Sequence, residues 1–179
     1  MKRSIPLWQV GGFIFTSALG TFLHFLFDIT GGNPAAGLFS AVNESIWEHL
    51  KLLVYPMLLF SAVEYFVWGK EIPNFWCVKL KGTLIGLILI PTLFYTYSGI
   101  LGVTADWFNV TIFFIAGAVV YYLETRQFLQ GKPCRLDTRA SLAVFALIAA
   151  LFTVFTFFTP QIPLFRDPLT GTYGFQSGV

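Results

Sequence analysis

Five apolar runs of helix length divide the 179-residue sequence, and this pattern constrains the fold more than any other feature. A membrane-spanning helix needs about 20 mainly apolar residues. The runs cover approximately Leu7–Asp28, Leu50–Trp68, Leu80–Ser98, Trp107–Phe128 and Ala140–Phe158. The second run has room to extend back to Ser40. We therefore predict an all-α fold, a polytopic membrane bundle of five transmembrane helices.

The composition is that expected of an integral membrane protein. Hydrophobic residues make up 56% of the sequence and charged residues only 11%, whereas soluble domains carry about 25% charged residues. The 21 Phe, 7 Tyr and 5 Trp suit a lipid-facing exterior with aromatic anchors at the interfaces. The expected partner is the lipid bilayer. Nucleic acid is not an expected partner, because no basic stripe interleaved with aromatic residues is present.

Basic residues near the span ends predict the orientation, because cytoplasmic loops carry an excess of Lys and Arg. With the N-terminus in the cytoplasm, that side holds nine of the eleven basic residues: Lys2, Arg3, Lys70, Lys79, Lys81, Arg126, Lys132, Arg135 and Arg139. The outer side keeps Lys51 and Arg166. The predicted organisation is a five-helix transmembrane domain over residues 1–158 and an ordered, Pro- and Gly-rich extracytoplasmic tail over residues 159–179.

Two expectations concern the cytoplasmic side. Cys77 and Cys134 both fall there, and we expect two inert, reduced thiols in that compartment. Glu64 and Glu124 lie toward the same ends of their spans, and we expect them at the interface, with Lys70 near the first and Arg126 near the second.

Ionisable residues collect at the opposite, outer ends of the spans. His24 and Asp28 are four residues apart, which puts them on one face of the first helix. The segment before the second span carries Glu44, Glu48 and His49, and it enters the membrane where the first span leaves it. The residues expected to converge on one outer-leaflet pocket are His24, Asp28, Glu44, Glu48, His49, Asp106 and Asp167.

Histidines with carboxylates are the ligand set of zinc and, with more oxygens, of iron or manganese. The best functional hypothesis is a metal-dependent membrane hydrolase, in which a divalent metal such as zinc activates water to attack a lipid or small amphiphile. His24, Asp28, Glu48 and His49 are its predicted metal ligands or catalytic acid–base groups. Glu44 and Asp167 are predicted to support those ligands, with the tail as a lid. The substrate, the reaction and the oligomeric state stay open.

Two alternatives belong to other classes. A proton- or cation-coupled transporter or channel would connect Ser17, Thr21 and His24 across the membrane, with imidazoles titrating near neutral pH. A non-catalytic structural or partner-binding protein would use the same charges as helix caps and ion pairs. Ser45-Ile46-Trp47-Glu48 matches a capping box, and Glu48 and Lys51 are spaced for an ion pair.

Two stretches, SAVNESIWEHLK over residues 40–51 and IPLFRDPLTGTYG over residues 162–174, resemble signatures of a family of small, uncharacterised bacterial integral membrane proteins. The resemblance covers most of the chain. It implies a multi-pass protein of the bacterial inner (plasma) membrane and no particular activity. More loosely, the chain is similar to the metal-dependent membrane hydrolases related to alkaline ceramidase. That family has seven spans and three His residues, so its zinc site does not transfer to this chain.

Overall fold

The computed structural model describes residues 3–131 and 134–176; Lys2 and Lys132 of the charge analysis lie outside these ranges. The helices are α1 (Ile5–Ile29), α2 (Pro34–Gly37), α3 (Ile46–Val67), α4 (Phe75–Leu101), α5 (Asp106–Gln130) and α6 (Thr138–Phe157). Within the described ranges, every helix except the short α2 is long and apolar enough to cross a membrane. The predicted all-α bundle of five transmembrane helices is confirmed.

The five long helices all begin before their apolar runs, and two of them, α3 and α4, begin four and five residues before. The α3 helix starts at Ile46, because Ser45 has an extended backbone and its Oγ accepts a hydrogen bond from the Glu48 amide at 3.4 Å. The α4 helix starts at Phe75, five residues before the predicted Leu80. Its first turns include the buried Trp76 and Lys79, so polar and aromatic residues that resemble a loop in the sequence are part of the bundle.

The α3 helix occupies the centre of the bundle and packs against α1, α4 and α6. Its approach to α1 is close, since a Cβ atom added at Gly20 would lie 2.5 Å from the carbonyl oxygen of Leu52. Only glycine permits this contact. One helical turn further along α1 is His24, which the contact brings to the start of α3.

The bundle has two ends, which we name by what they carry. The tail end holds the end of α1, the start of α3 and residues 159–176; there, Asn43 Nδ2 donates to the carbonyl oxygen of Gly174 at 3.1 Å. The N-terminal end holds the start of α1, the α3–α4 junction and the α5–α6 loop; there, Asn74 Nδ2 donates to the carbonyl oxygen of Cys134 at 3.1 Å.

The tail folds back onto the bundle. Phe165 is buried and its ring lies 4.9 Å from that of Trp47 on α3. The Phe175 amide donates to the carbonyl oxygen of Thr156 at 2.8 Å. The tail therefore packs directly on the α2–α3 connection, beside the ionisable residues that precede α3.

A buried ion pair fixes the start of α3 to its surroundings. Lys51 Nζ lies 2.5 Å from Glu48 Oε2 and donates to the carbonyl oxygen of Gly37 at 2.8 Å and to Thr156 Oγ1 at 3.1 Å. Glu48 also accepts from the Thr156 hydroxyl at 2.8 Å and from the Val42 amide at 3.1 Å. The expected Glu48–Lys51 pair is thus present, and it ties α3 to α6 and to the α2 region.

The cysteine expectation was wrong. Cys77 and Cys134 form a disulfide, with Cα atoms 5.9 Å apart. The two residues are separated by 57 positions in sequence, and they meet because the start of α4 lies beside the α5–α6 loop. Both are buried.

The interfacial pairing expected for Glu64 and Glu124 was wrong as well. Both carboxylates are buried, and both contact Lys79 from α4 rather than Lys70 or Arg126. Lys70 lies over the Phe66 ring and Arg126 over the Tyr122 ring. Packing of α3, α4 and α5 brings Lys79 between the two acids.

We predict that Lys51→Met destabilises the protein by about 3–5 kcal/mol, because it leaves the Glu48 carboxylate buried and uncompensated. Chemical unfolding of the purified protein in detergent measures this. Lys81→Met, at an exposed lysine of α4, is the matched control and should change stability by less than about 0.5 kcal/mol. Equal stability of the two variants would contradict the proposed role of the buried pair.

Candidate metal centre

Three potential ligands from three parts of the tail end meet at one place: His24 from the last turns of α1, Glu44 from the segment before α3, and His49 from the first turn of α3. The ligand atoms of these residues all lie within 4.8 Å of one another. The bundle therefore brings together both histidines of the sequence and one carboxylate.

The spacing of the three atoms matches metal coordination. Nε2 of His24 and Nε2 of His49 are 3.3 Å apart. Glu44 Oε2 lies 3.3 Å from His49 Nε2 and 3.8 Å from His24 Nε2. A triangle with these sides has a circumscribed radius of about 2.0 Å, the length of zinc–nitrogen and zinc–oxygen bonds. One point thus lies at bonding distance from all three atoms.

The orientation of His49 is fixed by the backbone. Its Nδ1 lies 2.9 Å from the carbonyl oxygen of Ser45, and a carbonyl can only accept, so Nδ1 carries the proton and donates it. In the neutral ring, Nε2 then presents its lone pair toward His24 and Glu44. Metal-binding histidines in proteins are oriented by this kind of hydrogen bond from the second ring nitrogen.

Glu44 is held in its anionic form. When the His49 ring is protonated, its Nε2–H donates to Glu44, and this hydrogen bond holds the pKa of the Glu44 carboxyl below its ordinary value; partial burial opposes the effect. The carboxylate is therefore available either to a protonated imidazole or to a cation.

The local sequence explains why Glu44 faces the two histidines. Asn43 Oδ1 accepts a hydrogen bond from the Ser45 amide at 2.9 Å, a turn typical of asparagine. Ser45 then caps α3. The Asn43 side chain is also bonded to Gly174, so the turn that carries Glu44 is held by both α3 and the tail.

The other predicted site residues lie elsewhere. Asp28 is exposed, one turn beyond His24. Glu48 points into the bundle toward Lys51 and Thr156. Asp167 Oδ1 accepts hydrogen bonds within its own turn, from the Leu169 amide at 2.7 Å and the Thr170 amide at 3.3 Å. Asp106 is exposed and begins α5.

The three ligand side chains are reachable from outside. Their exposed fractions are 32% for His24, 28% for His49 and 39% for Glu44. Phe25, whose ring lies 4.9 Å from that of His24, is exposed on the outer surface of α1, as is Phe22. The cluster thus borders both an aqueous and an apolar surface.

The polar stripe of the transporter hypothesis lies on the surface of α1. Thr21 is exposed, and its hydroxyl donates to the carbonyl oxygen of Ser17 at 2.8 Å. The buried polar residue of this stretch is Thr16, whose Oγ1 lies 2.7 Å from the hydroxyl of Tyr121.

Fold and cluster together define a class: a multi-pass helical membrane protein with two histidines and a carboxylate grouped at one end of the bundle. The chain belongs to a family of unknown function, DUF6512, whose sequence profile matches residues 2–175. This agrees with the predicted membership of a family without assigned activity. No curated protein and no solved structure matches the chain significantly.

We predict that the purified protein binds about one zinc ion per chain, since three donors at this spacing suit zinc. His24→Ala, His49→Ala and Glu44→Ala should each lose the metal. Elemental analysis after gel filtration measures the content, and Asp28→Ala is the matched control that should retain it. The same zinc content in all four variants would exclude this site.

Proposed function

We propose that the protein is a metal-dependent hydrolase that acts on a lipid or small amphiphile at the membrane surface. The observation that carries this proposal is the spacing of His24 Nε2, His49 Nε2 and Glu44 Oε2, which leaves one point at zinc-bonding distance from all three. The predicted metal ligands are refined accordingly: Glu44 joins the two histidines, and Glu48 is assigned to the buried ion pair.

Two histidines and one glutamate are the protein ligands of several catalytic zinc sites, in which the fourth position is left for water or substrate. Zinc bound in this way polarises a carbonyl group and generates a nucleophile from water near neutral pH. Structural zinc sites, in contrast, have four protein ligands. The partial exposure of all three side chains supports the catalytic type.

The chain itself has defined tasks in this proposal. The Ser45 carbonyl orients His49 through Nδ1, and the Asn43 turn positions Glu44. Asp28 lies one helical turn beyond His24, on the same face of α1 and exposed to solvent. We assign it the transfer of a proton between water and the leaving group. The tail, bonded to Asn43, holds the turn and does not act as a ligand.

The substrate class follows from the surroundings of the cluster. The exposed rings of Phe22 and Phe25 on α1 offer an apolar surface next to the polar cluster, the Phe25 ring lying 4.9 Å from that of His24. An amphiphile bound there would place its apolar chain in the lipid and its ester or amide bond at the interface, beside the three residues that would hold the metal. This geometry favours hydrolysis at the junction between headgroup and chain.

The proposed location is the plasma membrane, with the N-terminal end in the cytoplasm and the tail end outside. The bias of Lys and Arg toward the N-terminal end supports this orientation. The Cys77–Cys134 disulfide lies at that same end, and disulfides are typical of oxidising compartments. We give the charge bias more weight, because it extends over several loops, whereas both cysteines are buried and poorly accessible to reductants.

The activity is tested with detergent micelles that contain fluorogenic ester and amide lipids. We expect hydrolysis that is abolished by a chelator and restored by zinc. Asp28→Asn should keep the metal and lower kcat by about 10²–10⁴, the usual contribution of a general acid or base. Arg166→Gln, an exposed tail residue, is the control for the tail end. Zinc-loaded protein without hydrolysis of any ester or amide lipid would contradict the proposal.

The orientation is tested by thiol labelling in intact cells that produce the protein. Thr170→Cys in the tail should react with a membrane-impermeant maleimide, while Lys70→Cys at the opposite end should react only after permeabilisation. Both positions are exposed, and the native cysteines are buried in a disulfide and give little background. The reverse pattern of labelling would show that the chain is inserted in the opposite direction.

A further inference from the structure

A second polar cluster lies inside the N-terminal half of the bundle, 15 residues from His24 along α1 and 15 from His49 along α3, or about 22 Å along each helix. It consists of Gln9 from α1, Glu64 from α3, Lys79 from α4 and Glu124 from α5, and each side chain is at most 2% exposed. Glu124 lies six residues before the end of α5, or about 9 Å along the helix axis. Ionisable groups at such depth are expensive and mark functional sites.

Lys79 is the centre of this cluster. Its Nζ lies 2.5 Å from Glu64 Oε2 and donates to Glu124 Oε2 at 2.7 Å. The rings of Tyr121 and Phe128 lie 5.4 and 5.6 Å from the same nitrogen. An apolar, aromatic wall therefore surrounds the ammonium group, and among the residues that the structure describes the anions that it contacts are the two carboxylates.

The charges of the cluster do not balance. Two carboxylates and one ammonium leave a net charge of −1 if all are ionised. The other buried ion pair of the described chain, Glu48 with Lys51, has one charge of each sign and every carboxylate oxygen bonded. An uncompensated charge in an apolar interior is costly, and the group usually neutralises instead.

Buried acceptors without a hydrogen-bond donor also indicate that one carboxylate of the cluster is neutralised. Glu124 Oε1 and Gln9 Oε1 are buried without a hydrogen-bond partner. Glu64 is paired in contrast: its Oε2 contacts the Lys79 ammonium at 2.5 Å, and its Oε1 accepts from Gln9 Nε2 at 2.6 Å. Buried acceptors without donors are rare in proteins, and here they flank the surplus negative charge.

We propose that the Glu64–Lys79–Glu124 cluster is a proton-binding site that takes up one proton from solvent. The proton joins one carboxylate oxygen and converts that group to a neutral carboxylic acid, while Lys79 keeps its ammonium form and pairs with the remaining carboxylate. The titratable groups that face the site are Glu64, Lys79, Glu124 and Tyr121, and Lys81 lines the groove beside Glu124. The α1 helix contributes the neutral Gln9, and α6 packs nearby through Phe145.

The proton has a route to the site from the side of the bundle. A groove between α4 and α5 is lined by Gly82, Leu123, Glu124 and Gln127. The absence of a side chain at Gly82 is required, because a Cβ atom there would overlap the Glu124 carboxyl group. Glycine thus lets this carboxyl group lie against α4, between the groove and Lys79.

The test is infrared spectroscopy of the purified protein at pH 7 in an ester-free, sodium-free detergent buffer. Wild-type protein should show the carbonyl band of one protonated carboxylic acid, and the band should shift to lower frequency in heavy water. Glu64→Gln and Glu124→Gln should each lose the band, because one acid and Lys79 then balance. Lys79→Met should show about twice the band, since two acids without a cation must both be neutral.

Glu71→Gln, at an exposed acid of the same end of the bundle, is the control and should leave the band unchanged. Absence of the band from the wild-type spectrum would overturn the proposal, and this result does not depend on the stability of the variants. A band that disappears on addition of sodium would identify a sodium site in place of a proton site. A band that does not shift in heavy water would exclude exchange through the groove.

Discussion

Every charge that this bundle buries has to be paired within the bundle or neutralised by a proton, because lipid supplies no partner. The Glu48–Lys51 pair meets this requirement through Gly37, Val42 and Thr156, and in doing so it sets the rotation of α3. His49, the next residue after Glu48, is turned by about 100° and therefore faces α1, where His24 lies.

The Glu48–Lys51 network and the metal centre of His24, Glu44 and His49 differ in how many of their polar atoms have a partner within the protein. The Glu48–Lys51 network is buried and has a partner for each polar atom, so it holds the helices together and offers nothing to a ligand. His24, Glu44 and His49 are partly exposed, and their facing atoms are separated by metal-ligand distances without a cation from the protein between them. Because Glu48 and Lys51 pair with each other, the neighbouring His24, Glu44 and His49 remain available to bind a ligand.

The sequence was sufficient for the helices and for the general location of the candidate site. Apolar runs of about 20 residues predict the spans. Because successive spans cross the membrane in opposite directions, His24 and His49 are predicted at the same end of the bundle. The individual ligands depend on rotation, which the sequence pattern leaves open. Glu48 is adjacent to His49 and Glu44 is five residues before it, yet Glu48 points inward and Glu44 toward the histidines. The pairing of Lys79 with Glu64 and Glu124 requires three helices at once, so no local spacing predicts it.

The most direct measurement of the central claim is X-ray absorption at the zinc edge of the zinc-loaded protein. The account predicts nitrogen and oxygen ligands at about 2.0–2.2 Å with the outer-shell scattering of two imidazole rings. A zinc ion bound through sulfur, or one without imidazole scattering, would contradict the assignment of His24, Glu44 and His49 as a metal centre.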